Sequence, residues 1–174
     1  MGFTPLEGLV MATRAGDIDS GALIYLAKKL GLSLEALDEY LNHQCGLLGL
    51  SGGRESGVRE LLELEKAGDE NAVLALAVFM YRIKKYIGAY TAALGGLDML
   101  VFTATIGERS SITRARVCEG LECLGIKVDE LKNNLNIGAT SDFIDDGKLS
   151  SRVAVIKTNE MAQILKDMTA FFER

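Results

Sequence analysis

Two short apolar segments most constrain the fold of this chain. Residues 97–103 and 152–157 combine aliphatic, β-branched and aromatic side chains with few interior charges. This pattern is typical of strands that are buried on both faces. The sequence between the two segments has helical periodicity, and a helical crossover is the connection that parallel strands need. The two segments therefore predict a parallel βαβ unit.

Helical patterns account for most of the remaining sequence. Asp19 or Ser20 can cap the first helix, and Asp69 can cap the longest one. The predicted apolar face of the longest helix has a period of 3.6 residues and comprises Val73, Leu76, Ala77, Met80, Ile83, Ile87 and Tyr90. We predict helices at residues 21–30, 34–43, 58–66, 69–94, 110–124, 129–135 and 158–172. The glycine-rich stretch 46–57 and residues 104–109 are predicted to be loops. The predicted fold class is therefore helix-rich α/β.

Composition limits the class of protein and of partner. The 174 residues, 48% of them hydrophobic, are enough for one domain with a real core, predicted at residues 1–174. A net charge of −5 without a Lys/Arg cluster argues against nucleic acid and anionic membranes, but not against anionic small molecules. No apolar run approaches the ~20 residues of a membrane span, and no signal peptide is visible. Three cysteines without disulfide or metal spacing predict reduced thiols and a cytoplasmic location.

The N-terminal segment contains the most specific motif. Residues 2–19 read Gly-Phe-Thr-Pro-Leu-Glu-Gly-Leu-Val-Met-Ala-Thr-Arg-Ala-Gly-Asp-Ile-Asp. This segment resembles an interior motif of the acetate kinase family, which includes propionate kinases, and the resemblance extends over nearly the whole chain. In that family the motif lies past the middle, so the chain resembles the C-terminal part only. The resemblance implies a partial actin-like ATPase domain, ribonuclease-H-like, that lacks its first strands.

Arg14 is the candidate catalytic residue. A guanidinium offers five donors in a fixed fork, which suits the oxygens of a transferring phosphoryl group. From the residues alone, a surface arginine paired with Asp17 or Asp19 is the alternative. The resemblance implies the catalytic role, because the Arg of the family's Thr-Arg motif acts on the transferring phosphoryl group.

The predicted loop after the first strand is a candidate nucleotide site. Ligands of open α/β sheets bind beyond the carboxyl ends of the strands, although an ordinary turn is the alternative. Residues 102–109 resemble the family's Phe-Thr-Ala-Gly-Ile-Gly-Glu-Asn loop, which contacts the nucleotide. The resemblance implies that the adenine nucleotide is lined by Thr105, Ile106, Gly107, Glu108 and Arg109.

Several departures from the family pattern fall at this candidate site. Thr105 replaces a Gly, and a β-branched residue neither tolerates a positive φ nor permits close approach of the backbone to a ligand. Arg109 replaces an Asn, Gly57 an Asp, Lys157 a Pro and Met161 a Glu. These changes indicate either a branch with altered nucleotide contacts or a nucleotide site that is being lost.

Two further residues are assigned by resemblance. Thr158-Asn159-Glu160 is similar to the family's Pro-Thr-Asn-Glu-Glu, which implies that Glu160 is a magnesium-associated carboxylate; the alternative is a carboxylate that complements the helix dipole. Arg59 resembles the Arg of an Asp-x-Arg element that contacts the nucleotide, with an arginine on a helix surface as the alternative. The only histidine, His43, is predicted to lie at a helix end or in solvent rather than to act in catalysis.

The resemblance implies a phosphotransferase that converts ATP and acetate to ADP and acetyl phosphate with Mg²⁺. The family's catalytic Asp and His, its acyl-pocket Arg and its phosphate loop have no counterpart in these residues, so we expect the fragment to be inactive alone. The partners would be adenine nucleotide and a short-chain carboxylate once an N-terminal half completes the site. The alternative is a non-catalytic module for dimerisation or assembly, or half of a split kinase. Because the family dimerises through this half, a homo-oligomer is expected in either case.

Overall fold

Helices form most of the chain in the computed structural model, which describes residues 2–138 and 141–172. The chain divides into two compact units, one up to Tyr90 and one from Thr91 onward. That residues 1–174 form a single domain stays a prediction. The helices of the first part of the chain are α1 (Ser20–Leu30), α2 (Leu34–His43), α3 (Gly46–Leu50), α4 (Val58–Lys66) and α5 (Glu70–Leu94), the last of which crosses the boundary.

The second unit contains a small sheet with helices between its strands. Its elements are β1 (Met99–Phe102), α6 (Ala104–Arg109), α7 (Ser111–Cys118), a 3₁₀ turn (Glu122–Leu124), α8 (Glu130–Leu135), β2 (Asp142–Phe143), β3 (Arg152–Val155) and α9 (Glu160–Phe172). Within the described ranges, no helix is both long and apolar enough to cross a membrane.

Helix caps lie where the sequence predicts them. The Asp19 carboxylate accepts a hydrogen bond from the Ala22 N–H at 2.7 Å, and Asp69 does the same for Ala72 at 2.9 Å. Each cap satisfies one of the donors that a helix start leaves unpaired. The predicted helix 110–124 is wrong in its length, because α7 ends at Cys118 and Gly120 has a left-handed φ of 76°.

The buried face of α5 agrees only in part with the predicted face, because Leu76 and Met80 are buried as predicted but other buried positions were not predicted. Ala72, Ala75 and Leu76 are fully buried, whereas Val73 is 46% exposed. Alanine lets neighbouring backbone approach closely, and the small side chains therefore face the core. The buried face is rotated around the helix axis relative to the face that the larger aliphatic side chains predict.

The predicted loop 46–57 is also partly wrong, because it contains the short helix α3. Five residues are too few to show a helical period in the sequence. The helix forms where its N–H groups find tertiary acceptors, which belong to the turn that contains Arg14.

The parallel strand pair is confirmed. β1 and β3 run parallel, with Met99 opposite Arg152 and Phe102 opposite Val155. The two-residue strand β2, which the sequence did not predict, pairs antiparallel with the other side of β3. The sheet order β1-β3-β2 therefore places β3 in the centre.

The two long strands differ in burial. Val153, Ala154 and Val155 of β3 are buried, in agreement with the prediction. The prediction that the first strand is buried on both faces is wrong, because Met99 and Val101 of β1 are each 41% exposed. β1 is an edge strand in the described sheet, and one of its faces is open to solvent.

Candidate functional site

A tight turn in the first unit positions Arg14. The Met11 N–H donates to the Arg14 carbonyl at 3.2 Å, and the Asp17 N–H donates to the Gly8 carbonyl at 2.9 Å. The Thr13 hydroxyl fixes the turn to the end of α2 by donating to the Asn42 carbonyl at 2.9 Å. The backbone around Arg14 is therefore held by hydrogen bonds on both sides.

The start of α3 holds the same turn from a second direction. The N–H groups of Cys45, Leu47 and Leu48 donate to the carbonyls of residues 13, 11 and 12 at 2.9–3.0 Å. These N–H groups belong to a helix start, where intrahelical partners are lacking. Packing this close requires glycine at position 46, because a Cβ there would lie 2.3 Å from the Met11 carbonyl oxygen and φ is +66°.

The Arg14 side chain is half-buried and has no carboxylate partner among the described residues. Its one polar contact there is a long one, from Nη1 to the Met11 sulfur at 3.7 Å. Asp19 instead caps α1, and Asp17 binds other groups. The structure therefore lacks the surface ion pair that was the alternative for Arg14, and leaves the guanidinium available to a ligand.

Asp17 stabilises the base of the turn. Its carboxylate accepts from the Tyr86 hydroxyl at 2.5 Å and from the Gly8 N–H at 2.7 Å. These two hydrogen bonds lower the pKa of Asp17, and the bond to Asp17 raises the pKa of Tyr86 to about 12. Arg82 on α5 adds a bond to the Asp17 carbonyl oxygen at 2.9 Å. Asp17 thus ties the Arg14 turn to α5.

Arg59 lies elsewhere in the first unit, exposed on the first turn of α4. It lines an open pocket with Glu55, Glu60 and Glu63. Gly57 is the N-cap residue of α4 and offers no side-chain hydrogen bond to the start of that helix. The structure gives Arg59 a helix-surface position with acidic neighbours.

The predicted loop 104–109 is wrong, because these residues form the helix α6. Ala104 has a φ of +59°, the sole positive φ among the non-glycine residues described. The left-handed position is therefore Ala104 and not Thr105, so the Gly-to-Thr departure brings no backbone strain. A Cβ at Gly107 would lie 3.2 Å from the Phe102 carbonyl carbon, which shows how closely α6 packs on the end of β1.

Members of the predicted nucleotide loop point in different directions. Thr105, Ile106 and Arg109 are exposed, whereas Glu108 is only 8% exposed. The Glu108 Oε1 atom accepts from the N–H and the hydroxyl of Thr158 at 2.8 and 2.9 Å. These bonds, from the N–H first and then the hydroxyl, lower the pKa of Glu108. Its carboxylate therefore contacts the chain and not solvent.

Glu160 is the first residue of α9 and is exposed. The preceding Asn159 caps α9, since its Oδ1 atom accepts from the Ala162 N–H at 3.0 Å. Across the described residues, no three or more His, Cys, Asp or Glu side chains are grouped to hold a metal ion. Glu160 is thus a lone carboxylate at a helix start.

Arg114 is a structural residue of this site that the sequence analysis missed. Its guanidinium is fully buried and donates to the carbonyls of Gly107, Glu108, Asn133 and Asn136 and to the Asn133 side-chain oxygen at 2.6–3.0 Å. These acceptors are neutral, and burial lowers the pKa of Arg114. An arginine at helical spacing from Val117 and Cys118, on the inward face of α7, is the sequence signal that could have revealed it.

The second unit thus brings residues 104–109 and 158–160 together at one sheet edge, through the contact between Glu108 and Thr158. Arg14 and Arg59 both lie in the first unit, at separate places on it. His43 ends α2 and lies 3.7 Å from Glu39, in agreement with a helix-end role.

Residues 1–166 match the sequence profile of the Acetokinase family. This chain belongs to the acetate kinase family. Membership confirms the resemblance that residues 2–19 indicated.

Similar proteins match over almost the entire chain. An acetate kinase of Coprothermobacter proteolyticus is 49% identical over 169 residues, which are 96% of this chain and 41% of that protein. An acetate kinase of Phocaeicola vulgatus is 47% identical over 174 residues, which are 100% of this chain and 43% of that protein. The chain spans about two fifths of the length of these relatives.

Solved structures confirm the helix-rich α/β fold. Acetate kinase from Porphyromonas gingivalis matches with a TM-score of 0.91 and 40% identity, over 99% of this chain and 43% of that one. Acetate kinase from Entamoeba histolytica matches with a TM-score of 0.90 and 31% identity, over 100% of this chain and 44% of that one. A propionate kinase from Francisella tularensis matches with a TM-score of 0.82 and 40% identity, over 92% of this chain and 40% of that one.

The Asp17–Tyr86 contact predicts a measurable pH response. Tyr86→Phe removes the main cause that lowers the Asp17 pKa, so that pKa should rise toward its ordinary value of 3.8. In the wild type, this contact favours folding above the unfolded pKa of Asp17 and ceases to do so as the pH falls through the folded pKa. Titration of the Asp17 carboxyl carbon by NMR tests the shift.

Tyr81→Phe is the matched control, since Tyr81 is exposed on the same helix. It should leave the Asp17 titration unchanged. The same Asp17 pKa in Tyr86→Phe and wild type would contradict the assignment.

Proposed function

We propose that the chain supplies the C-terminal part of an acetate-kinase-type phosphotransferase, which converts ATP and acetate to ADP and acetyl phosphate. The observation that supports this most directly is the sheet edge at which α6 and the start of α9 meet through Glu108 and Thr158. Edges of this kind, beyond the carboxyl ends of parallel strands, are where α/β folds bind ligands. This edge supports the proposal that the chain contributes to a nucleotide site.

The proposed roles divide between the two units. In the second, the exposed side of α6, with Thr105, Ile106 and Arg109, lines the adenine nucleotide, while Gly107 lets α6 pack closely on β1. In the first, Arg59 contacts the nucleotide, although its glutamate neighbours weaken the attraction for phosphate. Glu108 serves this surface through the contact of its carboxylate with Thr158 rather than by touching the ligand.

Arg14 would act on the transferring phosphoryl group. Its fork of N–H donors matches the charge that develops on the phosphoryl oxygens, and its backbone is held rigidly by the turn and α3. A donor without an ion-pair partner needs no reorganisation before it meets that charge.

Mg²⁺ fits the second unit only as a lightly held ion. Glu160 is a lone exposed carboxylate, and Mg²⁺ commonly binds through one or two carboxylates together with waters and substrate phosphates. When bound, the ion would neutralise charge on the nucleotide phosphates. The contribution of this chain is to fix Glu160 through the Asn159 cap.

We also propose a cytoplasmic location and no nucleic acid or membrane partner. Cys45, Cys118 and Cys123 are not joined by a disulfide, which suits a reducing compartment. The net charge of −5 disfavours polyanions.

These 174 residues alone should form no acetyl phosphate from ATP and acetate. Phosphoryl transfer requires donor, acceptor and metal to be positioned together, and one arginine with one carboxylate cannot do this. Trapping acetyl phosphate as the hydroxamate tests the purified chain. Product at a rate that scales with the concentration of the chain would contradict the prediction.

Fusing the N-terminal three fifths of the Coprothermobacter proteolyticus acetate kinase to this chain should restore activity. In that chimera, Arg14→Ala should lower kcat by at least ~10²-fold and leave the KM for ATP nearly unchanged, because the arginine meets charge that is complete only in the transition state. Arg59→Ala should mainly raise the nucleotide KM. Glu160→Ala should raise the Mg²⁺ requirement, and added metal should partly restore the rate.

Lys28→Ala, which removes an exposed cation from α1, is the control and should behave like the unmodified chimera. If Arg14→Ala kept kcat within a few-fold of it, the proposed role of Arg14 would be wrong.

A second candidate function is self-association as an assembly module, including a homo-oligomer. The open edge of β1, with Met99 and Val101 exposed, favours it, because unpaired strand edges recruit other chains. Sedimentation velocity at micromolar concentration should show a species larger than a monomer. Val101→Lys should shift it toward monomer, and Leu131→Lys on the exposed face of α8 should not. A compact wild-type monomer would exclude this function.

A further inference from the structure

The parallel strands β1 and β3 end at the same edge of the sheet. Their ladder continues one residue past β3, where the Ile156 N–H donates to the Phe102 carbonyl at 2.9 Å. Beyond this point the chain after β1 becomes α6 and the chain after β3 leads into α9. A contact other than the strand ladder must therefore set the position of one segment against the other.

Glu108 provides that contact. Its Oε1 atom takes both polar hydrogens of Thr158, one from the backbone and one from the side chain. Hydrogen bonds to an ionised acceptor are about twice as strong as neutral ones. Two bonds to one residue also fix its orientation, which a single bond does not.

The Glu108 backbone is itself held from the opposite side. Arg114 donates to the Gly107 and Glu108 carbonyls at 2.8 and 3.0 Å, and the Gly138 N–H donates to the Glu108 carbonyl at 3.0 Å. A carboxylate whose backbone is held by three hydrogen bonds can set the position of its partner rather than follow it. Thr158 is therefore the dependent member of the pair.

Thr158 lies two residues before Glu160. Asn159, which lies between them, is fixed to the start of α9 by its capping hydrogen bond. The position of the Glu160 backbone therefore depends on Glu108, and the Lys157 N–H, which donates to the Ser141 hydroxyl at 3.0 Å, is a second hold on the same segment.

We propose that Glu108 is a positioning residue, which fixes Glu160 relative to the exposed side of α6 so that the nucleotide and metal groups act as one site. The inference rests on the proposed function for the roles of α6 and Glu160. It assigns Glu108 to the coupling between them instead of to the nucleotide. Mg²⁺ should then strengthen ADP binding only while the contact between Glu108 and Thr158 is intact.

The test compares three variants of the 174-residue chain. Glu108→Leu removes the acceptor, Glu108→Gln keeps an oxygen at the same place, and Thr158→Val removes only the hydroxyl donor. Glu122→Leu is the matched control, since Glu122 is an exposed glutamate of the same unit. The readouts are amide hydrogen exchange at Thr158 by NMR and the affinity for ADP by calorimetry with Mg²⁺ or with EDTA.

Glu108→Leu should speed Thr158 exchange at least ~10-fold and abolish the gain in ADP affinity that Mg²⁺ provides. Glu108→Gln should restore most of the Thr158 protection and most of the Mg²⁺-dependent gain in ADP affinity. Thr158→Val should lie between the wild type and Glu108→Leu in both readouts. If Glu108→Leu does not fold, Thr158→Val decides on the same two readouts.

Unchanged Thr158 exchange in Glu108→Leu would overturn the proposal, as would faster exchange with the Mg²⁺ gain retained. If the wild type bound no ADP under either condition, the proposed function would fail. The exchange at Thr158 would then still decide whether Glu108 holds this segment.

Discussion

The buried guanidinium of Arg114 is the interaction on which the candidate site in the second unit depends. Burying a cation without an anion costs several kcal/mol, and hydrogen bonds to a charged group return about 1.5–3 kcal/mol each. Arg114 offsets the cost with five neutral acceptors, four of them backbone carbonyls near the ends of α6 and α8. Helix carboxyl ends carry partial negative charge and lack intrahelical donors, so a cation satisfies both needs.

This explains how two very short helices persist. Helices α6 and α8 have six residues each, well below the length at which an isolated helix is stable in water. α7 packs against both of them and delivers Arg114 between their ends. The site segment is therefore stabilised by tertiary contacts and not by propensity.

The Arg14 turn is also held by the unpaired backbone groups of a helix end, but here these groups are N–H donors instead of carbonyl acceptors. There the N–H groups at the start of α3 meet three successive carbonyls, and glycine at position 46 permits the approach. In both units, backbone groups left free at a helix end hold the chain segment that is proposed to meet the ligand.

Prediction from the sequence succeeded where a pattern is local and long. The caps at Asp19 and Asp69 and the parallel strand pair are confirmed, and residues 2–19 were sufficient to indicate the family. Prediction failed for α3, α6 and β2, which are too short to show a period. It also missed the buried alanines of α5, since alanine gives little hydrophobic signal of its own. Glu108 points inward because it contacts Thr158, fifty residues away in the sequence, and no local pattern contains such a contact.

Hydrogen exchange in Arg114→Met and Arg114→Lys tests the dependence on Arg114 most directly. In Arg114→Met, amides of α6 and α8 should lose at least ~10-fold in protection, while those of residues 72–80 in the first unit keep theirs. Arg114→Lys, with fewer donors and no fork, should lie between Arg114→Met and the wild type. Wild-type protection of α6 in Arg114→Met would contradict the stabilising role of the buried guanidinium.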